Sequence, residues 1–303
     1  MPPGLRIETE PAAASAETPG GEPSAANPSL AQRARAFASN DGVSSHHPYL
    51  SGQGRLLEVA ANSVASAVAA QAGGAGRVEL CAALELGGLT PSRAQIAIAR
   101  ERLSIPLFVL IRPRAGDFLY TDADVETMRR DIETCVALGC DGVVLGALDA
   151  HGDVDLACCR ALITAAGSID VTFHRAFDVS RDPRQALEAV ITLGCKRVLT
   201  SGAQASAPEG AALIHELIAQ AAGRVVVMPG AGLRAGNIAA LASATSAREF
   251  HASASQAIPS GMCQPASFSH AMHAGELRSN TEQVRAMVAA LAAVPLNGDA
   301  VAR

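Results

Sequence analysis

Several short stretches of this sequence carry side chains that do chemistry when a fold brings them together. They are Leu56–Ala61 with Glu58, Arg77–Cys81 with Glu79 and Cys81, Leu107–Arg112, Asp170–Phe177 with His174, and Glu249–Ser253 with His251. In an extended segment alternate residues share a face, so Glu58 lies with Ala60 and Asn62, and Glu79 with Cys81. By the same rule Arg112 shares a face with Phe108 and Leu110, His174 with Thr172, and His251 with Ser253. A carboxylate on an apolar face costs several kcal/mol unless it is paired, so Glu58 and Glu79 call for cations or donors. Arg112, His174 and His251 are the groups on offer. Two readings follow: a structural ion-pair network, or a polar pocket in which Arg112 holds an anion while Glu58, Glu79 and His174 exchange protons.

The loops beyond these stretches add anion-binding chemistry. Arg112 and Arg114 stand two residues apart in Ile111-Arg112-Pro113-Arg114-Ala115-Gly116-Asp117-Phe118 and could fork onto a carboxylate or phosphate; alternatively, Arg114 and Asp117 pin the loop. Thr200-Ser201-Gly202 and Pro229-Gly230-Ala231-Gly232 follow apolar runs, and the second leads directly into a helix. Their backbone amides could bind phosphate or carboxylate through Ser201, Gly202, Gly230 and Gly232, or could simply form tight turns. His174-Arg175-Ala176-Phe177-Asp178 offers a base, a cation and a carboxylate, but no Ser or Cys in a strained elbow to serve as nucleophile.

The cysteines raise the metal question. Cys140, Cys195, Cys135, Cys158 and Cys159 form no C-x-x-C and read as structural thiols, whereas Cys81 is level with the pocket. Met262-Cys263 to Met272-His273, with His270, gathers soft ligands suited to Cu(I) but fits no metal-site spacing.

The elements that must position these residues form a repeat. Eight apolar runs, at Leu56–Ala61, Arg77–Cys81, Leu107–Arg112, Gly142–Leu148, Asp170–Phe177, Arg197–Ser201, Val225–Pro229 and Glu249–Ser253, read as strands. Helical stretches lie near 63–73, 92–103, 122–138, 155–166, 182–193, 208–222, 234–243 and 281–292. Gly after the last helical residue recurs at the joints, as in Leu138-Gly139-Cys140 and Leu193-Gly194-Cys195. Eight βα units in about 240 residues predict one closed (β/α)8 TIM barrel over residues 55–295, with its site at the C-terminal ends of the strands. No G-x-G-x-x-G follows the first strand, which disfavours a dinucleotide fold.

Composition narrows the partners. The 303 residues carry a net charge of −5, 3% aromatics and no Trp, so no nucleic acid is expected. No apolar run approaches the length a membrane span requires. Seven cysteines without an apolar leader point to reduced thiols and a cytoplasmic protein. Residues 1–54 hold seven of the sixteen prolines and no periodicity, and read as a disordered extension; their glutamates argue against a transit peptide. Residues 296–303 read as a flexible tail. The Ala-rich helix near 208–222 could support a homo-oligomer, as could any outer barrel helix.

The blocks Arg77-Val78-Glu79-Leu80-Cys81-Ala82, Gly87-Gly88-Leu89-Thr90-Pro91-Ser92, Ile111–Phe118, Thr172–Asp178 and Val198-Leu199-Thr200-Ser201-Gly202, in this order, resemble the CutC family of copper homeostasis proteins. The resemblance runs from about Leu56 to the last helix. It implies a TIM barrel, a cytoplasmic location and copper handling through Cu(I) on cysteine, with Cys81 as the metal ligand. Members with another cysteine on the first strand carry it where this chain has Ala60, so no two-thiolate site forms inside this barrel. Two functions are therefore expected: copper homeostasis with Cu(I) at Cys81, or acid–base enzymology on a small phosphorylated or carboxylated metabolite.

Overall fold

Short apolar strands that are buried on both faces, separated by helices with one apolar stripe, must stack as a sheet wrapped by helices. The computed structural model does this; it describes residues 54–261 and 275–295. The strands are β1 (Leu56–Ala61), β2 (Arg77–Leu80), β3 (Leu107–Leu110), β4 (Gly142–Leu145), β5 (Asp170–Phe173), β6 (Arg197–Thr200), β7 (Val226–Pro229) and β8 (Glu249–Ala252). They are interleaved with α1 (Val64–Ala72), α2 (Arg93–Arg102), α3 (Asp122–Ala137), α4 (Leu156–Ala166), α5 (Pro183–Thr192), α6 (Ala211–Ala221), α7 (Ala235–Thr245) and α8 (Thr281–Ala292). A two-stranded antiparallel hairpin, β9 (Ser255–Pro259) with β10 (Gly275–Ser279), stands between β8 and α8.

The sheet order is β7-β6-β5-β4-β3-β2-β1-β8, parallel throughout, and a Gly230–His251 bridge brings β7 to β8. This is the (β/α)8 barrel that the repeat predicts. Register places Glu58 beside Arg77 on one side and His251 on the other, and Ala60 beside Glu79. The main core fills the space between strands and helices, with Leu57, Val59, Val78, Val109, Phe173, Val198 and Phe250 meeting Ile96, Met128, Leu187 and Ile238. A second, smaller apolar cluster of Cys81, Phe108, Leu110 and Val144 is separate from it.

Local chemistry sets the helix limits. Ser92 with Gln95 and Thr121 with Asp124 form reciprocal caps, and Asp182 caps a helix that opens on Pro183. At the helix-to-strand joints Gly139 and Gly194 have φ of 72° and 78°, a left-handed conformation that side-chain-bearing residues resist. Six of the strands are shorter at their C-terminal ends than the apolar runs suggest. After β5, for example, His174 caps a 3-10 turn over Arg175–Val179. The stretches read as a disordered extension and a flexible tail fall outside the described residues except at Gly54, and the Met262–His273 segment falls wholly outside them.

Candidate functional site

Inside the barrel the charges are arranged in two levels. In the lower one Arg77 lies against Glu58 and also donates from Nη2 to Glu249 Oε2 at 2.6 Å. Arg197 donates to the same Glu249 oxygen at 2.8 Å and to Asp170 at 3.2 Å. The Phe108 ring lies 5.0 Å from the Arg77 guanidinium and 5.1 Å from that of Arg197. A buried network of this kind is a structural device, because each ion would be costly alone. Glu58 belongs to it. Burial opposes its ionisation, but Arg77 and His251 overcome that and hold its carboxyl at about 2.

His251 links this level to the one above. Its Nδ1 is 2.7 Å from Glu58 Oε1 and 3.7 Å from Glu79 Oε2. Burial works against its charge, yet the Glu79 and Glu58 carboxylates raise its pKa above the ordinary imidazole value. Glu79 behaves oppositely to Glu58. Burial, reinforced by the charge of Glu58, pushes its carboxyl up to about 7 against the pull of His251 and Arg77. Its Oε2 is buried and has no hydrogen-bond partner.

Two more such atoms belong to the upper level. His174, 4% exposed, accepts the Ala176 N–H on Nδ1 at 3.2 Å, so in the neutral ring the proton sits on Nε2. That Nε2 is buried and unpartnered. Burial and the nearby Arg112 lower the His174 pKa to about 3, so the ring is a neutral donor across the physiological range. Space for it comes from Gly146 on the neighbouring segment, where a Cβ would stand 2.7 Å from His174 Nδ1. Arg112 spends three hydrogen bonds on the Leu86, Gly88 and Gly116 carbonyls, and its Nε is buried without a partner. The Phe118 ring packs near both groups, 5.2 Å from the Arg112 guanidinium and 4.9 Å from the His174 ring.

Glu79, Arg112 and His174 all line one cavity of about 1010 Å³ at the C-terminal mouth of the barrel. Cys81, His251, Ser253, Gly232, Arg234, Ala235 and Gly236 line it as well, so the first turn of α7 presents its positive end to the wall. Glu58 does not reach the cavity.

The other residues expected to bind an anion are committed elsewhere. Arg114 lies outside the lining and pins its own loop: it bonds Asp117 at 3.1 Å, Asp124 at 3.2 Å and the Leu119 carbonyl at 2.7 Å. The amides at Ser201 and Ala203 and the Thr200 and Ser201 hydroxyls bind an anion, but it is the protein's own Asp178 carboxylate. Gly202 donates to Thr200 Oγ1, and Gly230 to the Thr200 carbonyl. Of the loop positions, only Gly232 faces the cavity.

Sequence reasoning missed Arg77 as the partner of Glu58. Its signal was present, since Arg77 stands two residues before Glu79 and therefore on the same face. Asp178 as an internal anion had no such signal, because it crosses from the segment after β5 to the one after β6.

Among the described residues, the group of potential metal ligands is Glu58, Glu79 and His251, whose ligand atoms lie within 4.8 Å of one another. These oxygen and nitrogen donors are not the soft set that Cu(I) selects. Glu58 is moreover already neutralised by Arg77 and bonded by His251, which makes the trio a proton-sharing chain rather than an open ligand cage. The Cys81 thiol is 1% exposed, and burial together with the Glu79 and Glu85 charges raises its pKa, which disfavours the thiolate that a metal needs.

Fold and site together define a (β/α)8 barrel protein with a charged, partly unsatisfied cavity at the C-terminal end of its strands. The chain belongs to the CutC family, which matches residues 55–256. It is 61% identical over 235 residues to a family protein CutC of Xanthomonas axonopodis pv. citri, covering 78% of this chain and 98% of that one. A relative of the same name from Xanthomonas campestris pv. campestris is 58% identical over 232 residues, covering 77% of this chain and 97% of its own. A solved CutC structure from Streptococcus agalactiae, named for copper homeostasis, superposes with a TM-score of 0.64 at 31% identity, covering 66% of this chain and 98% of its own. No helix among the described residues is long and apolar enough to cross a membrane.

Proposed function

We propose that the cavity is the active site of an enzyme that acts on a small anionic metabolite by general acid–base chemistry. Glu79 moves the proton, and Arg112 with His174 receives the oxygens of the substrate; Gly232 and the start of α7 supply a second anion-binding wall. The observation that carries this reading is that three residues at three different strand ends, Glu79, Arg112 and His174, line one cavity, and each has a buried polar atom that makes no hydrogen bond. An unsatisfied buried polar group costs about 1–3 kcal/mol, and folds keep such groups where a ligand completes them. A carboxyl near 7 is also suited to taking and returning a proton at neutral pH.

Copper remains in the family's naming, and Cys81 is where the cavity offers a thiol. The fit is poor. The register partner of Glu79 on β1 is Ala60, which supplies no donor, and the thiol is held protonated. The six described cysteines are free thiols, which supports a reducing compartment such as the cytoplasm.

Thermal unfolding of the full chain with a panel of small anions, including oxalate, phosphate and 2-phosphoglycolate, tests the reading. At 100 times its dissociation constant a bound anion stabilises the fold by about 2.7 kcal/mol. A panel in which no anion shifts the transition, while Cu(I) binds tightly to the wild type and not to Cys81→Ser, would return the function to copper.

A further inference from the structure

Building on the acid–base reading above, we propose that this cavity catalyses proton transfer at a carbon next to a carbonyl, making it an isomerase or epimerase of small 2-hydroxy carbonyl compounds. The argument is one of elimination among the groups present, followed by a match between those that remain.

Covalent catalysis has no activated nucleophile: the cavity-lining Ser253 hydroxyl is 3.1 Å from that of Ser255, hydroxyl against hydroxyl. The Ser201 hydroxyl is engaged with Asp178, Arg175 and the Gln204 carbonyl, and Cys81 is buried as a neutral thiol. A Schiff base lacks an amine. The sequence contains a single lysine, Lys196, and it is exposed immediately before β6, at the opposite end of the barrel from the cavity. Hydrolysis by paired acid and base calls for two proton-active groups of opposite readiness. Here His174 stays neutral, Glu58 is locked to Arg77 below the cavity and holds His251 Nδ1 at 2.7 Å, and Glu79, 3.7 Å from that same nitrogen, is the buried carboxyl of the lining whose Oε2 makes no hydrogen bond.

One carboxylate that both takes and returns a proton is what an enolisation requires. Glu79 removes the proton from the carbon beside the carbonyl; the C–H electron pair becomes the C=C bond and the carbonyl pair moves onto oxygen. The Nε2–H of His174 and the Nε–H of Arg112 receive that oxygen as it becomes an enolate. A neutral imidazole donor suits this position because it stabilises the developing charge without surrendering its proton. For isomerisation the hydroxyl proton on the carbon that lost its hydrogen passes to the enolate oxygen, and Glu79, now protonated, returns its proton to the former carbonyl carbon while the former hydroxyl oxygen becomes the new carbonyl; for epimerisation the intermediate turns over in the cavity, and Glu79 returns the proton to the opposite face of the original carbon. Atoms and electrons balance with no oxidant, metal or further reactant. The positive end of α7 and Arg234 at the same wall favour substrates that carry a phosphate or carboxylate.

The test is solvent exchange. The full chain is incubated in D2O with dihydroxyacetone phosphate, glyceraldehyde 3-phosphate, glyceraldehyde and lactaldehyde, and loss of the exchangeable carbon-bound proton is followed by NMR. Oxalate and 2-phosphoglycolate, which cannot enolise, are titrated in parallel by thermal unfolding. The expected result is exchange with at least one compound above the protein-free rate, lowered ~10²–10⁴-fold in Glu79→Gln with the anion-induced thermal shift retained. Glu79→Asp is the second variant should the glutamine not fold, and it should also lose exchange. Anion binding in the wild type without exchange of any compound overturns the enolisation and leaves the acid–base reading standing. Absence of both binding and exchange overturns the two together. Exchange that is unchanged in both Glu79 variants overturns the role of Glu79 and with it this mechanism.

Discussion

Replacing Glu79 with Gln should change how stability depends on pH more than it changes stability itself. The folded protein holds the Glu79 proton up to about 7, whereas an ordinary glutamate releases it near 4.5. Between these values the folded state binds more protons than the unfolded one, so this residue makes stability fall as pH rises, and its favourable contribution is spent once pH passes 7. The difference corresponds to about 3 kcal/mol. The groups acting on it are Glu58, His251 and Arg77. Glu79 is in turn the first of the charges that raise the His251 pKa; the two titrations share one interaction, so the figure of about 3 kcal/mol belongs to the pair. Urea unfolding of wild type and Glu79→Gln at half-unit steps from pH 4 to 8 reads it directly. The variant should gain about 3 kcal/mol on the wild type across that range. A difference constant to within about 0.5 kcal/mol would refute the claim that burial holds this carboxyl protonated.

Other perturbations separate the remaining parts of the site. His174 is buried neutral with a pKa of about 3, so it should cost about 1.4 kcal/mol per pH unit as pH falls below 6.5; His174→Asn should remove that acid sensitivity, read as a flatter stability profile between pH 6.5 and 4. Arg77→Met leaves the Glu58 charge buried and should destabilise by about 3–5 kcal/mol in urea unfolding; a smaller loss with Glu58 still ionised would contradict the pairing. Asp178→Asn removes the carboxylate that receives the Ser201 and Ala203 amides, and should cost about 2 kcal/mol, partly recovered by added sulfate.

The barrel was legible in the sequence because its βα period is local: a run of apolar residues, a capped helix and a glycine joint repeat whatever lies opposite. The inward face was legible too, since alternation alone places Glu58, Glu79, Arg112 and His174 inside. What alternation does not show is the level each residue occupies along the barrel axis and which atoms are already in use. Arg114 and Gly230 look as available as Arg112 and Gly232, yet their donors end on Asp124 and Thr200. Glu58 and Glu79 are the same residue on neighbouring strands, yet contact with Arg77 and His251 sends one carboxyl down while burial and the Glu58 charge send the other up. The β9–β10 hairpin escaped notice because its exposed residues carry no apolar period.

The central claim is that the unsatisfied donors of Arg112 and His174 await one bound anion beside Glu79. The most direct measurement is a crystal structure of the full chain grown with oxalate. The account predicts carboxylate oxygens within about 3 Å of Arg112 Nε and His174 Nε2, with Glu79 lining the same pocket. A cavity without oxalate, in which those two nitrogens instead pair with other protein groups, would contradict it.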